Sequence, residues 1–283
     1  MKAGYITIVG RPNVGKSTLM NALTGSLVAI VTPKPQTTRH RILGIVSGDD
    51  YQFVFVDTPG IFKPRNELDR AMEKQIELSL NDADLLYYMI DIEQRDIEER
   101  ILDMVNAPRF LLINKIDRID RKELLPWIDE YSKNYKFDEI IPISALKGTN
   151  LDDLVETTKR YLPDTEPLFP PDYLSDRPER FFVAELIREK IFLFYGEEIP
   201  YSTTVEVEEM KDSYIRANIY VEKESQKGII IGKKGEKLKK VATAARKSIE
   251  AFLGRKVYLE VWVKVRKNWR RNPSDVRRFG YYG

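Results

Sequence analysis

The sequence predicts an α/β domain with a doubly wound, mostly parallel sheet, followed by a smaller α+β domain. Three observations lead to this fold class. In the front half, short apolar runs alternate with amphipathic stretches, a proline-rich segment then interrupts the pattern, and the order of elements changes after it. The length of 283 residues also suits two domains, because each has room for a core of its own.

Five apolar runs in the front half predict the strands of the parallel sheet. We expect these strands at Tyr5–Val9, Tyr51–Val56, Leu85–Ile90, Phe110–Ile113 and Ile140–Ile143. The amphipathic stretches between them predict helices at Lys16–Leu23, Glu67–Leu80, Ile97–Val105, Leu124–Tyr135 and Leu151–Tyr161. Strands separated by helices form right-handed units that cover both faces of a parallel sheet. The run Arg41–Val46, followed by a polar turn, predicts one further strand that pairs antiparallel at the edge.

Five prolines between residues 163 and 178 end this pattern, because proline fits neither a helix interior nor a central strand. We therefore predict a front domain over 1–162, a semi-stiff linker over 163–178, a second domain over 179–267 and a basic, aromatic tail over 268–283. The second domain is expected to follow the order α-β-β-α-α-β. Its elements are predicted at Arg180–Tyr195, Thr203–Glu209, Tyr214–Val221, a short helix ending near Ile231, Glu236–Leu253 and Val257–Val265.

Composition excludes several kinds of chemistry. The chain has no cysteine, which excludes disulfides, thiolate nucleophiles and Cys-ligated zinc, and its one histidine excludes a multi-His metal site. That residue, His40, lies between two arginines, a setting more typical of a solvated side chain, or of one near phosphate or RNA, than of a general base. No run approaches the roughly 18 apolar residues of a membrane span, and the N-terminus lacks the apolar core of a signal peptide. We therefore expect a cytoplasmic protein.

Charge is distributed unevenly along the chain, although the net charge is only +2. Residues 180–283 contain 23 Lys and Arg against 14 Asp and Glu, whereas residues 1–179 contain 23 against 30. Within 226–283 the basic residues number 17 and the acidic ones 4. Such a basic back half predicts a polyanionic partner.

A phosphate-binding motif follows the first predicted strand and opens the first predicted helix. The string GRPNVGKS fits G-x-x-x-x-G-K-[ST] without a mismatch. In this motif the backbone N–H groups and the helix N-terminus face the phosphates, the lysine reaches the β- and γ-phosphates, and the serine hydroxyl ligates Mg²⁺. The predicted phosphate-binding residues are Gly10, Arg11, Pro12, Asn13, Val14, Gly15, Lys16, Ser17 and Thr18.

A second motif, N-K-I-D, indicates that the base is guanine. It follows the fourth parallel strand, at the sheet edge where doubly wound folds bind ligands. The Asp117 carboxylate can accept from both the ring N–H and the exocyclic amine of guanine, a donor pair that adenine lacks. We expect Asn114 to brace the loops, the Lys115 stem to cover one face of the base, and a backbone N–H of the S-A-L string after the next strand to contact the guanine oxygen. The predicted base-binding residues are Asn114, Lys115, Ile116, Asp117, Ser144, Ala145 and Leu146.

A third motif, D-T-P-G, follows the strand that ends at Val56. Its carboxylate can hold Mg²⁺ through water, and its glycine N–H can touch a γ-phosphate without a Cβ in the way. In the polar stretch 31–41, Thr38 is the better candidate for a second Mg²⁺ hydroxyl, and Thr37 is its alternative. The predicted metal ligands are Ser17, Thr38 and Asp57, and the predicted γ-phosphate residues are Asp57, Thr58, Pro59, Gly60 and Ile61.

Together these motifs resemble those of the translation-factor-related GTPases, a branch of the P-loop GTPase fold, and the string QTTRH resembles the Era family. The order GRPNVGKS, QTTRH, DTPG, NKID, SAL extends the resemblance over residues 4–161. It implies a switch that binds GTP and GDP with Mg²⁺. It also implies that the loops near 31–41 and 57–66 change order when the γ-phosphate leaves.

The resemblance says less about hydrolysis. Many small GTPases use a glutamine after the glycine of the third motif to orient the attacking water, and this chain has Ile61 there, so we expect slow intrinsic hydrolysis. Asn13 allows two interpretations. Related GTPases with asparagine at this position hold K⁺ beside the phosphates, which would offset developing charge, whereas in the other interpretation Asn13 only shapes the loop. The predicted catalytic residues are Asn13, Lys16, Thr38 and Gly60.

In the back half, the string GKKG lies between two predicted helices. A G-x-x-G loop lets a nucleic-acid backbone approach the main chain, its lysines meet phosphates, and the preceding isoleucines 229–231 would line a groove for unstacked bases. In the α-β-β-α-α-β frame, with more lysines following, the segment 180–267 resembles a KH domain of the second topological type. The predicted RNA-binding residues are Gly228, Ile229, Ile231, Gly232, Lys233, Lys234, Gly235, Lys237 and Lys240. The tail either contacts RNA through its aromatic and arginine side chains or is a disordered end.

The favoured function is a GTP-hydrolysing switch that binds single-stranded RNA. The resemblance to the Era family implies that a monomer binds the 3′-terminal region of small-subunit ribosomal RNA during assembly of that ribosomal subunit. The alternative is a regulatory GTPase that associates peripherally with the anionic inner membrane face through the same basic half. Against it, the sequence has no long amphipathic basic helix and no lipidation signal, and a G-x-x-G loop has no purpose on lipid.

Overall fold

The chain forms two units, each built around a sheet of its own. The structure is a computed structural model that describes residues 1–282, apart from the side chain of residue 121. The first unit comprises residues 1–29, 38–63 and 72–176. The second unit runs from Arg177 onward and includes two short segments of the front half, 30–37 and 64–71.

The first unit contains a six-stranded sheet with the order β2-β3-β1-β4-β5-β6. Its strands are β1 (Lys2–Gly10), β2 (Ile42–Ser47), β3 (Tyr51–Asp57), β4 (Leu85–Asp91), β5 (Arg109–Asn114) and β6 (Glu139–Pro142). All neighbours pair in parallel except β2 and β3, which are antiparallel. The prediction of a doubly wound, mostly parallel sheet with an antiparallel edge strand is confirmed. Every residue of β4 is buried, as expected for a strand with both faces covered.

Five helices belong to the segments between and after these strands. They are α1 (Lys16–Thr24), α2 (Glu67–Asn81), α3 (Glu99–Asp103), α4 (Arg121–Asn134) and α5 (Leu151–Tyr161). Helix α3 is shorter than predicted, because the chain before it makes tertiary contacts: the Glu98 N–H donates to the Tyr88 hydroxyl at 2.8 Å. Helix α4 begins three residues earlier than predicted, since the Asp120 side chain caps it by accepting from the Lys122 N–H at 3.0 Å.

The parallel strands bring the predicted motifs to one edge of the sheet. Their carboxyl ends point the same way, so the loops that follow β1, β3, β4 and β5 start side by side. Ile8 is in register with Asp57, Gly10 with Met89, and Asp91 with Asn114. This register gathers phosphate, metal and base motifs that lie up to a hundred residues apart in the sequence.

The proline-rich stretch after α5 runs along the outer edge of the same sheet. The Ile45 N–H donates to the Leu174 carbonyl at 3.0 Å, and the Leu43 N–H donates to Asp176 Oδ1 at 3.2 Å. The Gln52 side chain donates to the Phe169 carbonyl at 2.8 Å and accepts from the Phe169 N–H at 2.9 Å. The stretch forms no helix, turns once where the Tyr173 N–H donates to the Pro170 carbonyl at 3.0 Å, and covers the free edge of β2.

The second unit has a three-stranded sheet packed against helices. Its helices are α6 (Glu179–Phe194), α7 (Ile199–Ser202), α8 (Glu224–Ile231), α9 (Glu236–Leu253) and α10 (Pro273–Arg278), and its strands are β7 (Thr204–Met210), β8 (Tyr214–Val221) and β9 (Tyr258–Val265). β8 lies between antiparallel β7 and parallel β9. The predicted order α-β-β-α-α-β is confirmed, with α7 and α10 in addition. Val241, Ala245 and Ile249 form the buried stripe of α9.

The tail belongs to this core in the part that the structure describes, residues 268–282. The Trp269 ring is fully buried, and its Nε1–H donates to the Ser202 carbonyl at 2.8 Å. The Tyr281 and Thr204 hydroxyls lie 2.8 Å apart, and Tyr281 stacks on Trp269 with ring centroids 5.8 Å apart. The interpretation of the tail as a disordered end is wrong for these residues, because its aromatic rings bury apolar area instead.

No helix within residues 1–282 combines the length and the apolar character that crossing a bilayer requires.

Candidate functional site

The P-loop folds around the ammonium of its own lysine. Lys16 Nζ donates to the carbonyls of Gly10 and Arg11, both at 3.0 Å, and the side chain is buried. Burial lowers the pKa of Lys16 from 10.5 to about 8, an effect that the nearby Asp57 carboxylate partly opposes. A polyphosphate at this loop would offer the ammonium stronger acceptors than the two carbonyls.

An asparagine joins this loop to the base motif. Asn114 Nδ2 donates to the Val14 carbonyl at 2.8 Å, and Asn114 Oδ1 accepts from the Ala145 N–H at 3.0 Å. Gly15 has a φ of 107°, and a Cβ there would lie 2.2 Å from Asn114 Nδ2. Glycine is therefore required at residue 15 both by the backbone conformation and by the close approach of the amide.

Three oxygen-bearing side chains converge at the start of α1. Ser17 Oγ donates to Asp57 Oδ2 at 2.7 Å and lies 2.9 Å from Thr38 Oγ1, which is itself 3.3 Å from Asp57 Oδ2. The other oxygen, Asp57 Oδ1, is buried without a hydrogen-bond partner. Burial raises the pKa of Asp57, opposed first by the Lys16 charge. Hydroxyl and carboxylate oxygens with one buried oxygen unpaired are a donor set that fits Mg²⁺.

The geometry favours Thr38 over Thr37 as the second hydroxyl near Asp57. Thr37 Oγ1 lies 2.6 Å from Thr32 Oγ1 and donates to the Lys34 carbonyl at 2.8 Å, so its hydroxyl is engaged within its own segment. Thr38, by contrast, lies within hydrogen-bond distance of Ser17.

The D-T-P-G loop lies directly against the P-loop. A Cβ on Gly60 would lie 2.7 Å from the Pro12 nitrogen, so only glycine allows this approach. The Ile61 N–H donates to the Gly10 carbonyl at 3.0 Å, and the Ile61 side chain packs against an apolar cluster of the first unit. An isoleucine side chain in that position has no group that could orient water.

The base motif ends in a tight turn, and a serine of the loop after β6 donates to the aspartate of that turn. Asp117 lies in a 3₁₀ turn, residues 116–118, that is preceded by Lys115 in the left-handed conformation with φ 66°. The Ser144 hydroxyl donates to Asp117 Oδ1 at 2.6 Å, and the Lys147 N–H donates to Ser144 Oγ at 3.2 Å. The bond from the Ser144 hydroxyl holds the Asp117 carboxylate in place.

Two residues of this edge were missed by the sequence analysis. Asp91, fully buried at the end of β4, forms an ion pair with Lys115 and accepts from the Glu93 and Gln94 N–H groups at 2.9 and 2.7 Å. Gln94 Nε2 then donates to the Pro12 carbonyl at 3.2 Å. The available signal was an aspartate ending an apolar parallel strand, the same signal that singled out Asn114.

The segment around His40 differs from the sequence expectation. His40 and Arg39 are 7% and 2% exposed, whereas a solvated setting was expected for the histidine. The solvated setting is therefore wrong, because the residues between Thr38 and β2 fold against the protein. The other setting, a histidine near phosphate or RNA, stays a prediction. The Arg41 N–H donates to Gln75 Oε1 at 2.5 Å.

Segment 30–37 makes contacts with α6 that the sequence did not predict. The Lys34 ammonium donates to the Phe192 and Tyr195 carbonyls at the C-terminal end of that helix. The buried Arg188 guanidinium donates to the Thr37 carbonyl at 2.5 Å and pairs with Glu185. A cation at a helix C-terminus is favourable, since it meets unpaired carbonyls and the negative end of the helix dipole.

In the second unit the GKKG loop lies between α8 and α9. Gly232, Lys234 and Gly235 have φ values of 71°, 51° and 79°, so the loop turns sharply through left-handed conformations. The Gly232 N–H donates to the Gly228 carbonyl at 2.9 Å and ends α8. Both lysine side chains, 233 and 234, are exposed.

The three isoleucines of α8 face different ways. Ile229 is 43% exposed beside the loop, whereas Ile230 is fully buried in the core and Ile231 packs partly against it. The expectation that all three line a groove is therefore wrong for Ile230, because successive residues of a helix point about 100° apart.

Comparisons with known proteins agree with the interpretation of the front domain and with that of the second domain. The family described as 50S ribosome-binding GTPase matches residues 5–115, and the KH domain family matches residues 198–270. The GTPase Era of Lactobacillus helveticus is 49% identical over 99% of this chain and 96% of its own length. A solved structure of Era in complex with MgGDPNP and nucleotides 1506–1542 of 16S ribosomal RNA is 46% identical, with a TM-score of 0.95 over 99% of both chains. A structure of a single-residue variant of Aquifex aeolicus Era bound to GDP.AlF4⁻ matches with the same identity, coverage and TM-score.

The predicted resemblance is thereby confirmed, as are the two fold types and the GTPase class. The chain has a P-loop GTPase domain followed by a KH domain, and its relatives share both over nearly their whole length. This chain belongs to the Era family of GTPases.

Proposed function

We propose that this GTPase binds single-stranded RNA through its KH domain, and that its target is the 3′-terminal region of small-subunit ribosomal RNA during assembly of that subunit. The observation that carries the proposal is the GKKG loop, in which two exposed lysines lie between glycines with positive φ. The identity of the RNA is supported by the related Era that was solved with nucleotides 1506–1542 of 16S ribosomal RNA. The protein acts as a monomer in the cytoplasm.

The proposed RNA contacts follow from the exposure of each side chain. Lys233 and Lys234 meet phosphates at the loop, and Ile229 offers apolar surface to a base. The stem of Lys237 lies against Gly232, where a Cβ would come within 2.7 Å of its Cγ. The full proposed set is Gly228, Ile229, Ile231, Gly232, Lys233, Lys234, Gly235, Lys237 and Lys240.

In the nucleotide site, the P-loop residues 10–18 bind the phosphates of GTP or GDP, and residues 114–117 and 144–146 bind guanine. Ser17, Thr38 and Asp57 would hold Mg²⁺, which supplies charge neutralisation for the phosphates. Lys16 stabilises the charge that develops on the transferred phosphoryl group, and the Gly60 N–H and Thr38 orient the γ-phosphate. We propose that the GTPase domain spans residues 1–162 and the KH domain residues 179–267, with the linker 163–178 between them and the tail 268–283 after them.

Hydrolysis is proposed to be slow without a stimulating partner, because Ile61 cannot orient water. Asn13, in the left-handed conformation with φ 67°, is the candidate for holding K⁺ beside the phosphates. Turnover should then be faster in potassium than in sodium, and Asn13→Ala should abolish the difference while GTP binding stays. Equal turnover in both salts would leave Asn13 with the alternative role of shaping the loop.

The GKKG loop, residues 232–235, is the proposed RNA clamp, and it is tested by reversing its charge. The double variant Lys233→Asp, Lys234→Asp should lose affinity for every RNA, and the dependence of affinity on salt should flatten, because fewer counterions are released. Affinity is measured by fluorescence anisotropy with a labelled strand copied from the 3′ end of 16S ribosomal RNA. Ile229→Asn should instead weaken the preferred sequence most, since apolar groove contacts distinguish bases.

The matched control is Lys211→Asp, Lys256→Asp, which makes the same charge change at exposed side chains away from the loop. It should reduce RNA affinity far less than the clamp variant, and GTP binding should survive in both. Parental RNA affinity in the clamp variant would refute the proposed clamp and leave the basic tail as the leading RNA contact.

A second candidate is weak peripheral binding to the anionic inner membrane face. It is favoured by the 17 basic against 4 acidic residues in 226–283. Co-sedimentation with phosphatidylserine vesicles tests it. Discrimination among RNA sequences together with weak vesicle binding would leave RNA as the main partner.

A further inference from the structure

A groove lies between the end of α6 and the exposed face of α9, and it shares one residue, Lys240, with the proposed RNA-binding set. Its volume is ≈ 450 Å³, and it is lined by Phe194, Lys239, Lys240, Thr243, Ala244 and Lys247. One acidic side chain, Glu236, completes the lining. Three lysines against one glutamate make this surface complementary to an anion.

The floor of the groove is apolar and its rim is basic. The Phe194 ring is 41% exposed, which leaves a large apolar face open to a ligand. The Lys240 ammonium lies over this ring, 4.9 Å from its centroid. A ring face that attracts a cation also accepts a stacked base, and the lysine can then move to a neighbouring phosphate.

The groove lies on the helix that follows the clamp. Lys239, Lys240 and Lys247 follow the GKKG loop on the same helix, and Lys247 lies 12 residues beyond Gly235. At about 1.5 Å per residue this spacing is about 18 Å, a length that a few nucleotides of single strand span. A KH clamp holds only about four nucleotides, so a longer strand has further nucleotides to place.

We propose that this groove is a second RNA subsite, in which one unpaired base stacks on Phe194 while the flanking phosphates lie on Lys239, Lys240 and Lys247. The subsite rests on the proposed function, since it extends the strand held by the clamp. It adds affinity for strands longer than the clamp footprint, and the stacked base adds little sequence preference, because every base has a face that can stack.

The test compares short and long RNA. Labelled single strands from the 3′ end of 16S ribosomal RNA are used, one of about four nucleotides and others extended by about six nucleotides on the 5′ or the 3′ side. Phe194→Leu and the double variant Lys239→Gln, Lys247→Gln should bind the short strand like the parent. Each should bind one of the extended strands about tenfold more weakly, whereas Phe194→Trp should retain parental affinity.

The control is Lys211→Gln, Lys256→Gln, which removes two exposed charges outside the groove. It should change the affinity for the extended strands by less than about twofold. Circular dichroism confirms that each variant is folded. The salt dependence of binding should flatten in the lysine variant and stay parental in Phe194→Leu, because only the lysines release counterions.

The outcomes separate this inference from the proposed function. Loss of binding in the clamp variant together with parental binding of all strands in the groove variants would overturn the subsite alone. Parental binding in both sets of variants would overturn the RNA clamp as well. A loss in the lysine variant with none in Phe194→Leu would overturn the stacked base, since charge alone would then explain the contact.

Discussion

At the scale of single residues, the nucleotide site contains two buried charges that are incompletely satisfied by the protein. Burial lowers the pKa of Lys16 and raises the pKa of Asp57, so both groups are shifted toward their neutral forms. Asp57 has one oxygen without a partner, and Lys16 reaches only backbone carbonyls. A phosphate chain and a divalent cation would supply opposite charges to these two groups, so ligand binding favours both charged forms.

The pKa of Lys16 predicts how nucleotide affinity depends on pH. The phosphates bind the charged ammonium, and above pH about 8 the lysine of the free protein must first take up a proton. With a pKa near 8, about a quarter of the lysine is charged at pH ~8.5, so the Kd for GDP should rise about fourfold between pH ~7 and ~8.5. Fluorescence titration with labelled GDP measures it.

The titration ends at pH ~8.5, below the pH at which the guanine ring N–H loses its proton, because that loss would also weaken GDP binding. The folded protein binds fewer protons than the unfolded chain above pH about 8, so loss of Lys16 charge does not itself unfold the protein. An affinity that stays constant over the range would mean that Lys16 keeps its charge in the free protein.

The proposed specificity for guanine rests on one carboxylate, that of Asp117. Asp117→Asn should lower GTP affinity about a hundredfold or more, and it should raise affinity for xanthosine triphosphate, which has an oxygen where guanine has an amine. Competition against labelled GDP measures both. Ser144→Ala is the matched comparison: it removes the bond to Asp117 Oδ1 and should weaken GTP binding without changing the preferred base. Unchanged GTP affinity in Asp117→Asn would contradict the assignment.

At the scale of elements, sequence patterns predict the positions of the strands and the sheet edge at which their loops meet. The strands β1, β3, β4 and β5 were predictable because each is a continuous apolar run, and their shared direction then placed the motifs at one edge. Contacts between distant polar residues were not predictable. The Asp91–Lys115 pair and the Arg188–Thr37 bond join residues that no periodicity links.

The contacts of the tail, residues 268–283, were also not predictable from the sequence. Its arginines and aromatic residues have the composition of an RNA contact or of a disordered end, and composition alone does not report which rings are buried. The structure buries Trp269 and Tyr281, and it pairs Arg266 with Asp275 at 2.7 Å. The role of these residues within the second unit is therefore one of packing.

This packing predicts a stability effect. Trp269→Ala should destabilise the second unit by about 3–5 kcal/mol, because it leaves a cavity and removes the bond to the Ser202 carbonyl. Urea unfolding followed by far-UV circular dichroism measures it, and the transition of the second unit should move to lower urea. Trp262→Ala is the matched control, since that ring is 54% exposed and its loss should cost less than about 1 kcal/mol. Equal effects of the two substitutions would contradict the packing role.

At the scale of the whole molecule, charge is divided along the chain. Residues 1–179 have an acidic surplus, 30 acidic against 23 basic residues, although they contain the phosphate site. We therefore expect the P-loop to bind phosphate through local backbone groups and one lysine rather than through a broad positive field. The basic surplus of residues 226–283 is suited instead to a long polyanion, because attraction summed over many exposed lysines grows with the length of the strand.

We expect the proline-rich stretch that runs along β2 to protect the sheet from self-association as well. Without residues 168–176, the Ile45 and Leu43 N–H groups would face solvent, beside the apolar cluster of Leu43, Ile45, Val54 and Val56 that Phe169 now contacts. An open, apolar edge strand is a template for pairing with a second chain, and proline is one of the residues that prevents such pairing. A fragment that stops at residue 162 should therefore form dimers or aggregates, whereas a fragment that continues to residue 176 should stay dispersed.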